Sequence, residues 1–243
     1  MQQPIITAKT KDPLGCAVLD FYEGKLQYPL TIQSSMFDDD ELPVPYLFRT
    51  LEQMPELEQK ALELAKGKIL DVGAGAGCHS QALQKMGKTV SAIDISPGAI
   101  EVMQKTGVKN ARHIDFFTLE DEKYDTILFL MNGAGVAGTV ENLPSFFEKL
   151  ATLLNKGGQV LIDSSDVAYL YEDDDGAIEI DINGSYYGEF DFSFAYGECK
   201  SDIFRWFYVD FETLSHYAQE SGFQSELVME DENNAYLVRL TKV

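Results

Sequence analysis

Three carboxylates stand at or near the ends of apolar segments: Asp71 in "KILDVG", Asp94 in "TVSAID" and Asp115 in "ARHIDFF". After the first, glycine recurs at every second position, as Gly73, Gly75 and Gly77 of "DVGAGAG". Glycine takes positive φ and carries no Cβ, so such a loop lets a ligand reach the backbone amides. Three ligand chemistries compete for it. A triphosphate loop of the Walker type ends in Gly-Lys-Ser/Thr, which is missing here. A dinucleotide loop needs its third glycine where Cys78 stands, and the glycine falls one place early, at Gly77. The acids point elsewhere. Asp71 beside the loop suits an ammonium group and repels a pyrophosphate. Asp94, about twenty residues on, can accept hydrogen bonds from both hydroxyls of a ribose. Asp115 can accept from an exocyclic amine, with Phe116 beside it to stack on a base. The set provides for an ammonium-bearing ligand with a ribose and an adenine, and provides nothing for phosphates.

These residues need elements to hold them in one place. From Gly67 to Asp163 short apolar strands alternate with amphipathic segments: "KILDVG", "TVSAID", "ARHI", "YDTILFLM" and "QVLID" are strands. "CHSQALQKMG", "SPGAIEVMQKTG" and "NLPSFFEKLATLLNKGG" are helices, the second with Ser96 as N-cap, the third ending at Gly157-Gly158. This alternation predicts an α/β fold with a doubly wound parallel sheet and right-handed crossovers, whose ligand lies beyond the carboxyl ends of the strands. At the C-terminus, "DFETLSHYAQESGF" is a helix, and "QSELVMED" and "AYLVRLTKV" pair as an antiparallel hairpin. The expected division is a helical cap over residues 1–66, a ligand-binding core over 67–163, an inserted antiparallel β flap over 164–209 and a C-terminal helix and hairpin over 210–243, all in one domain. In the cap, "CAVLDFYEG" and "PYLFRTLEQM-PELEQKALELA" read as helices, the latter broken at Pro55, and the first dozen residues as a frayed or lightly docked start. In the flap, Asn183-Gly184 is a hairpin-turn signal.

Composition narrows the partners. Forty acids against nineteen bases give a formal net charge of −21, which repels nucleic acid. The runs at Asp38–Glu41 and Glu172–Asp175 read as solvated loops, because hard-cation loops need alternating ligands and a turn glycine. Cys16, Cys78 and Cys199 are widely spaced in sequence and form no Cys-x-x-Cys pair, so no metal site and no disulfide framework is expected. No apolar run is long enough for a membrane span or a signal peptide, and the expected compartment is the cytoplasm. The expected assembly is a monomer or a homodimer.

"ILDVGAGAG", "AIDIS", the acid of "HIDFF", "YDTILFLMN" and "LLNKGGQVLID" occur in the order and spacing of the class I S-adenosylmethionine-dependent methyltransferases, and the chain resembles that family from about Leu70 to Asp163. The resemblance implies a Rossmann-like seven-stranded sheet, mostly parallel with an antiparallel last strand. It implies S-adenosyl-L-methionine as cofactor, with Asp71 and the glycines at Gly73, Gly75 and Gly77 against the methionine moiety. Asp94 would hold the ribose, with its neighbour Ile95 also in the cofactor site, Asp115 and Phe116 would border the adenine, and Met131 and Asn132 would lie near the sulfonium. The implied activity is methyl transfer to a small-molecule acceptor; a protein or peptide substrate and a non-catalytic cofactor-binding role are the alternatives.

Catalytic residues are not marked. Methyl transfer is an in-line displacement in which positioning supplies much of the rate, and a base is needed only for a protonated acceptor. The Asn-Pro-Pro-aromatic signature of base- and glutamine-directed amino methyltransferases is absent, since Asn132 leads into "GAGVAG". Of three histidines only His79, after the glycine loop, falls near the site. The cap and flap bring aromatics such as Tyr46, Tyr186, Tyr187 and Trp206, which suit an apolar acceptor pocket. Arg49 and Arg205 are scarce cations among them. Each either pairs with a local carboxylate or orients an anionic acceptor.

Overall fold

A computed structural model describes residues 5–34, 36–173, 175–181 and 183–243. The core follows the alternation in the sequence: β3 (Lys68–Val72), α3 (Cys78–Lys85), β4 (Thr89–Asp94), α4 (Pro97–Lys105), β5 (Ala111–His113), β6 (Tyr124–Phe129), α5 (Leu143–Leu153) and β7 (Leu154–Ser165). Then come α6 (Phe211–Glu220), β11 (Phe223–Glu230) and β12 (Ala235–Lys242). These strands form a seven-stranded sheet in the order β11-β12-β7-β6-β3-β4-β5. The pairs from β7 to β5 are parallel, whereas β12 runs antiparallel to both of its neighbours.

Strand periodicity explains why both faces are covered. Successive side chains point to opposite sides of a sheet. Thus Ile69, Leu128 and Leu161 pack on one side with Leu57, Ala61 and Leu62 of α2 (Glu56–Leu64) and Leu83 of α3. Leu70, Ile127, Phe129 and Ile162 pack on the other with Phe146 and Phe147 of α5 and Leu214 of α6. Phe146 is fully buried, its ring centroid 5.2 Å from that of Phe129. A side chain of this kind contributes about 1.5–3 kcal/mol by leaving water.

The third core helix ends sooner than expected. It stops at Leu153, because Leu154 already pairs with Tyr124 in the ladder between β6 and β7. Gly157 therefore lies inside a long, irregular strand and caps no helix.

The cap holds α1 (Pro13–Tyr22), two short 3₁₀ turns before Pro55 at Val44–Phe48 and Leu51–Gln53, and α2. It also supplies two strands, β1 (Leu30–Ser34) and β2 (Asp40–Leu42), which put part of the acid run 38–41 on an exposed sheet edge. The flap supplies β8 (Glu189–Tyr196), β9 (Cys199–Lys200) and β10 (Phe204–Phe207). Together they make a second antiparallel sheet, β10-β8-β1-β2, with β9 paired to β8. The flap's hairpin turn lies at Gly197, between β8 and β9, and not at Asn183-Gly184. Asp181 takes up the latter locally: its Oδ1 accepts from Asn183 N at 2.9 Å and its carbonyl from Gly184 N at 3.2 Å. Ile182 lies outside the described residues, as does Asp174 in the second acid run.

Residues 5–12 are docked, so of the frayed and lightly docked starts expected, the second holds for them. Ile6 N donates to Ile95 O at 3.2 Å. Asp12 is the N-cap of α1, accepting from Gly15 N at 2.9 Å, with Pro13 in the first turn. Its other carboxylate oxygen accepts from Ser96 Oγ and Gly98 N, each at 2.9 Å, so one buried side chain ties α1 to the start of α4.

Candidate functional site

Beyond the carboxyl ends of β3, β4 and β5 lies a cavity lined on its floor by Gly73, Asp94, Ile95, Asp115 and Phe116. Gly73 and Gly75 have φ of +67° and +54°, and a Cβ at either would meet nothing within 4 Å. Their backbone is open on the side a ligand would use. Gly77, the N-cap of α3, faces inward: a Cβ there would come within 2.7 Å of Met103 Cγ on α4.

Asp94 is the pivot of this floor. Its Oδ2 accepts from Gly75 N and its Oδ1 from Ser96 N, both at 2.8 Å. The carboxylate thus ties the glycine loop to the start of α4 at the end of its own strand. Burial raises its pKa to about 6, against the pull of those two amides. Asp115 caps a 3₁₀ turn by accepting from Phe117 N at 2.9 Å, and burial raises its pKa as well. Phe116 is 3% exposed and packs edge-on against Phe129, so most of its ring belongs to the core. The more open neighbour on the cavity wall is Phe117.

Asp71 turns away from the loop. Its Oδ2 accepts from Ser80 Oγ on α3 at 2.6 Å, and burial holds its pKa above the usual carboxylate range. Met131 and Asn132 follow β6 with φ of +65° and +57°. Two successive non-glycine residues in the left-handed region cost about 1–3 kcal/mol each. Asp163, at the adjacent end of β7, holds the turn: its two oxygens accept from Met131 N at 2.9 Å and Gly133 N at 2.8 Å. Burial raises its pKa to about 7. Asn132 is fixed in turn, its Oδ1 accepting from Ser164 Oγ at 3.0 Å and its Nδ2 donating to Phe207 O at 3.3 Å. Neither Met131 nor Asn132 lines the cavity.

Arg49 and His79 meet in a buried charged cluster around Glu58, a residue that nothing in the sequence marks. Glu58 Oε2 bonds His79 Nε2 at 2.7 Å and pairs with Arg49 Nη2. Although burial opposes it, His79 and Arg49 hold the Glu58 carboxyl below its ordinary range. Arg49 also donates to Tyr46 O at 2.7 Å and lies 4.1 Å over the Tyr46 ring. Its Nε, although buried, has no partner among the described residues. A buried donor left unmade costs about 1–3 kcal/mol, so this atom is a candidate ligand contact. Arg205 is ordinary by contrast, half-exposed and bonded to Asp191 and Glu189 on the same sheet.

The roof comes from both ends of the chain: Lys11 to Leu14 on one side, and Phe194, Ser201, Phe204 and Trp206 on the other. Trp206 lies on the backbone of Gly135, where a Cβ would be 2.0 Å from the indole. Tyr186 and Tyr187 serve the flap instead, each donating to Asp210, at 2.5 and 3.4 Å. The roof thus comes from the cap and the flap, as the sequence suggests, and includes Trp206; Lys11–Leu14, Phe194, Ser201 and Phe204 are the lining residues that no residue type marks. A clue existed in "DPLG", whose Asp-Pro pair is a helix-start signature.

A family model described as a methyltransferase domain matches residues 46–227. Among solved structures, an S-adenosylmethionine-dependent methyltransferase of Bacteroides fragilis, in complex with S-adenosyl-L-homocysteine, is 49% identical, with 100% of this chain and 98% of that one covered and a TM-score of 0.91. Two curated relatives match part of the chain. The ubiquinone biosynthesis O-methyltransferase of Actinobacillus pleuropneumoniae is 37% identical over 83 residues, 29% of this chain and 36% of its own length. That of Pasteurella multocida is 32% identical over 94 residues, 35% and 39% of the two chains. The match thus spans little more than a third of these curated relatives.

Proposed function

The chain belongs to the methyltransferase-domain family, and from that premise we propose that it transfers a methyl group from S-adenosyl-L-methionine to a small-molecule acceptor in the cytoplasm. The observation that carries this reading is the open backbone of Gly73 and Gly75 beside the strand-end carboxylate Asp94, at the floor of one largely apolar cavity. Those residues fit the cofactor. Asp94 accepts from the ribose hydroxyls, Asp115 accepts from the adenine amine, and Ile95 and Phe117 flank the base. Arg49, Met131 and Asn132 lie outside the lining of this cavity and are proposed for the methionyl end of the cofactor, where Arg49 Nε would donate to the carboxylate and the rigid turn at Met131 and Asn132 would border the sulfonium. When bound, the cofactor supplies an electrophilic methyl group on a sulfonium. The chain supplies orientation and exclusion of water, which in an in-line displacement is a large share of the rate.

The acceptor side is built by Phe194, Phe204 and Trp206 over Val136. An enclosed wall of aromatics favours a compact acceptor with an apolar or planar body over a peptide strand. Among the described residues no helix is long and apolar enough to cross a membrane.

Calorimetry with S-adenosylhomocysteine and with NAD tests the cofactor. Micromolar binding of the first without the second is expected, and the reverse would end this reading. Incubation of the protein with cofactor carrying a labelled methyl group and a metabolite extract tests the reaction. Label transferred to a small molecule supports it, label on protein supports the peptide alternative, and tight cofactor binding with no transfer at all supports a binding protein.

A further inference from the structure

Cys16 and Cys199 stand 183 positions apart in sequence, yet their sulfurs lie 2.7 Å from each other. That is closer than two non-bonded sulfurs ordinarily come. Cys16 is on α1, two residues after Leu14, and Cys199 opens β9, two residues before Ser201. Leu14 and Ser201 line the cavity from opposite sides of its roof. The same seam is crossed by an ion pair between Lys11 and Asp202, both exposed. The seam between these residues therefore forms part of the wall that a ligand in the cavity would meet.

We propose that the two thiols are an oxidation-sensitive clasp, a cysteine pair that closes to a disulfide and pins the roof of the cofactor cavity. The oxidant is a low-molecular-weight disulfide. Cys199 is the half-buried partner and Cys16 the buried one, so the incoming reagent meets Cys199. Its thiolate attacks one sulfur of the reagent and releases one small thiol, leaving a mixed disulfide. Cys16 then attacks the Cys199 sulfur, and its proton leaves with the second small thiol. The protein loses two hydrogens, and the reagent is reduced to two thiols. Burial, with the neighbouring Cys199, pushes the Cys16 thiol up to about 12, which keeps it from reacting with reagents in solvent; its attack in the second step is driven by the enforced closeness of the two sulfurs. The third cysteine, Cys78, sits at the start of α3 in the core beneath the sheet, away from the seam, and is an internal control. The clasp rests on the cavity being the cofactor chamber.

The chain's single tryptophan, Trp206, lines the cavity and reports on ligand exchange. Full-length protein is treated with oxidised glutathione or with dithiothreitol, mapped by peptide mass spectrometry, and its release of S-adenosylhomocysteine followed by Trp206 fluorescence. A Cys16–Cys199 cross-link and about tenfold slower release are expected after oxidation, both reversed by dithiothreitol. Cys199→Ser and, separately, Cys16→Ala should abolish the cross-link and the slowing, while Cys78→Ser should keep both. Separate glutathionylation of the two thiols without a cross-link would overturn the clasp, and so would a cross-link that leaves release unchanged. Reduced protein that ignores S-adenosylhomocysteine would sink the cofactor reading itself, and is told apart because the peptide map does not depend on ligand.

Discussion

The floor of the cavity is made by neighbouring strand ends within one stretch of chain, from Gly73 to Phe116, whereas its roof joins Lys11–Leu14 to Phe194–Trp206 across almost the whole sequence. The floor is tightly bonded: Asp94 holds two backbone amides, and Asp163, separated from it in the sheet by β6 and β3, holds two more. The roof is aromatic and loosely specified, with Phe194 and Phe204 at 5.2 Å between ring centroids and Phe204 and Trp206 at 6.2 Å. Fixed amides and carboxylates recognise a ligand that never varies. A wall of rings recognises shape alone and can change without disturbing the floor. On the function proposed, the cofactor belongs to the first region and the acceptor to the second.

The severest way to break this division is at Arg49, which comes from the cap but is buried against the floor. Arg49→Ala leaves the Glu58 carboxylate inside the protein with only His79 as partner. Losing one member of a buried ion pair costs about 3–5 kcal/mol. Urea denaturation should show that loss, together with weaker S-adenosylhomocysteine binding. Unchanged stability would mean that the cluster is wetter than its burial implies.

The floor should also set opposite pH trends for stability and for binding. Burial raises the Asp163 pKa to about 7 and that of Asp94 to about 6, whereas an unfolded Asp titrates near 4. Between about pH 4 and 7 the folded protein therefore keeps protons that the unfolded chain has released. Stability from these two groups is full below about pH 4 and is lost as pH rises through 7. Binding runs the other way, because ribose hydroxyls donate to an ionised Asp94. Affinity for S-adenosylhomocysteine should fall about tenfold per pH unit below 6 and level off above it. Denaturation and calorimetry from pH 5 to 8 measure both slopes, and parallel slopes would contradict the assignment of Asp94.

A smaller, more pointed test removes the carboxylate. Asp94→Ala should weaken S-adenosylhomocysteine binding by about 1–3 kcal/mol, the cost of a lost hydrogen bond to a charged group, and should flatten the binding slope below pH 6. Unchanged affinity would take the ribose away from this residue.

The same two regions differ in how far the sequence discloses them. The order of strands and helices is legible because each carries its own period, and the glycine loop because chain geometry leaves few other reasons for glycine at three alternate positions. Asp94 is legible because it ends an apolar strand next to that loop. The pairing of β1 with β8 is not, since it joins residues near 32 and 194 and no local pattern names a distant partner. The Asn183-Gly184 turn misleads for the same reason: a hairpin there would need β8 to pair with the segment just before it, but β1 takes that edge. Phe116 reads as a stacking ring from its place beside Asp115, and the packing of Phe129 and Phe146 around it reveals a core residue.

Arg49 and Arg205 look alike in sequence, each a lone cation among aromatics, and the smallest expected effect separates them. Arg205 lies 41% exposed on the outer edge of the flap sheet, its guanidinium shared by Asp191 and Glu189. Water already screens such a pair, and exposed ion pairs contribute about 0–1 kcal/mol. Arg205→Gln should therefore leave the denaturation midpoint and the affinity for S-adenosylhomocysteine close to those of the parent. Were it to weaken the cofactor as Arg49→Ala does, charge would be reaching the floor from the roof, and the separation of a fixed floor from a variable aromatic roof would not hold.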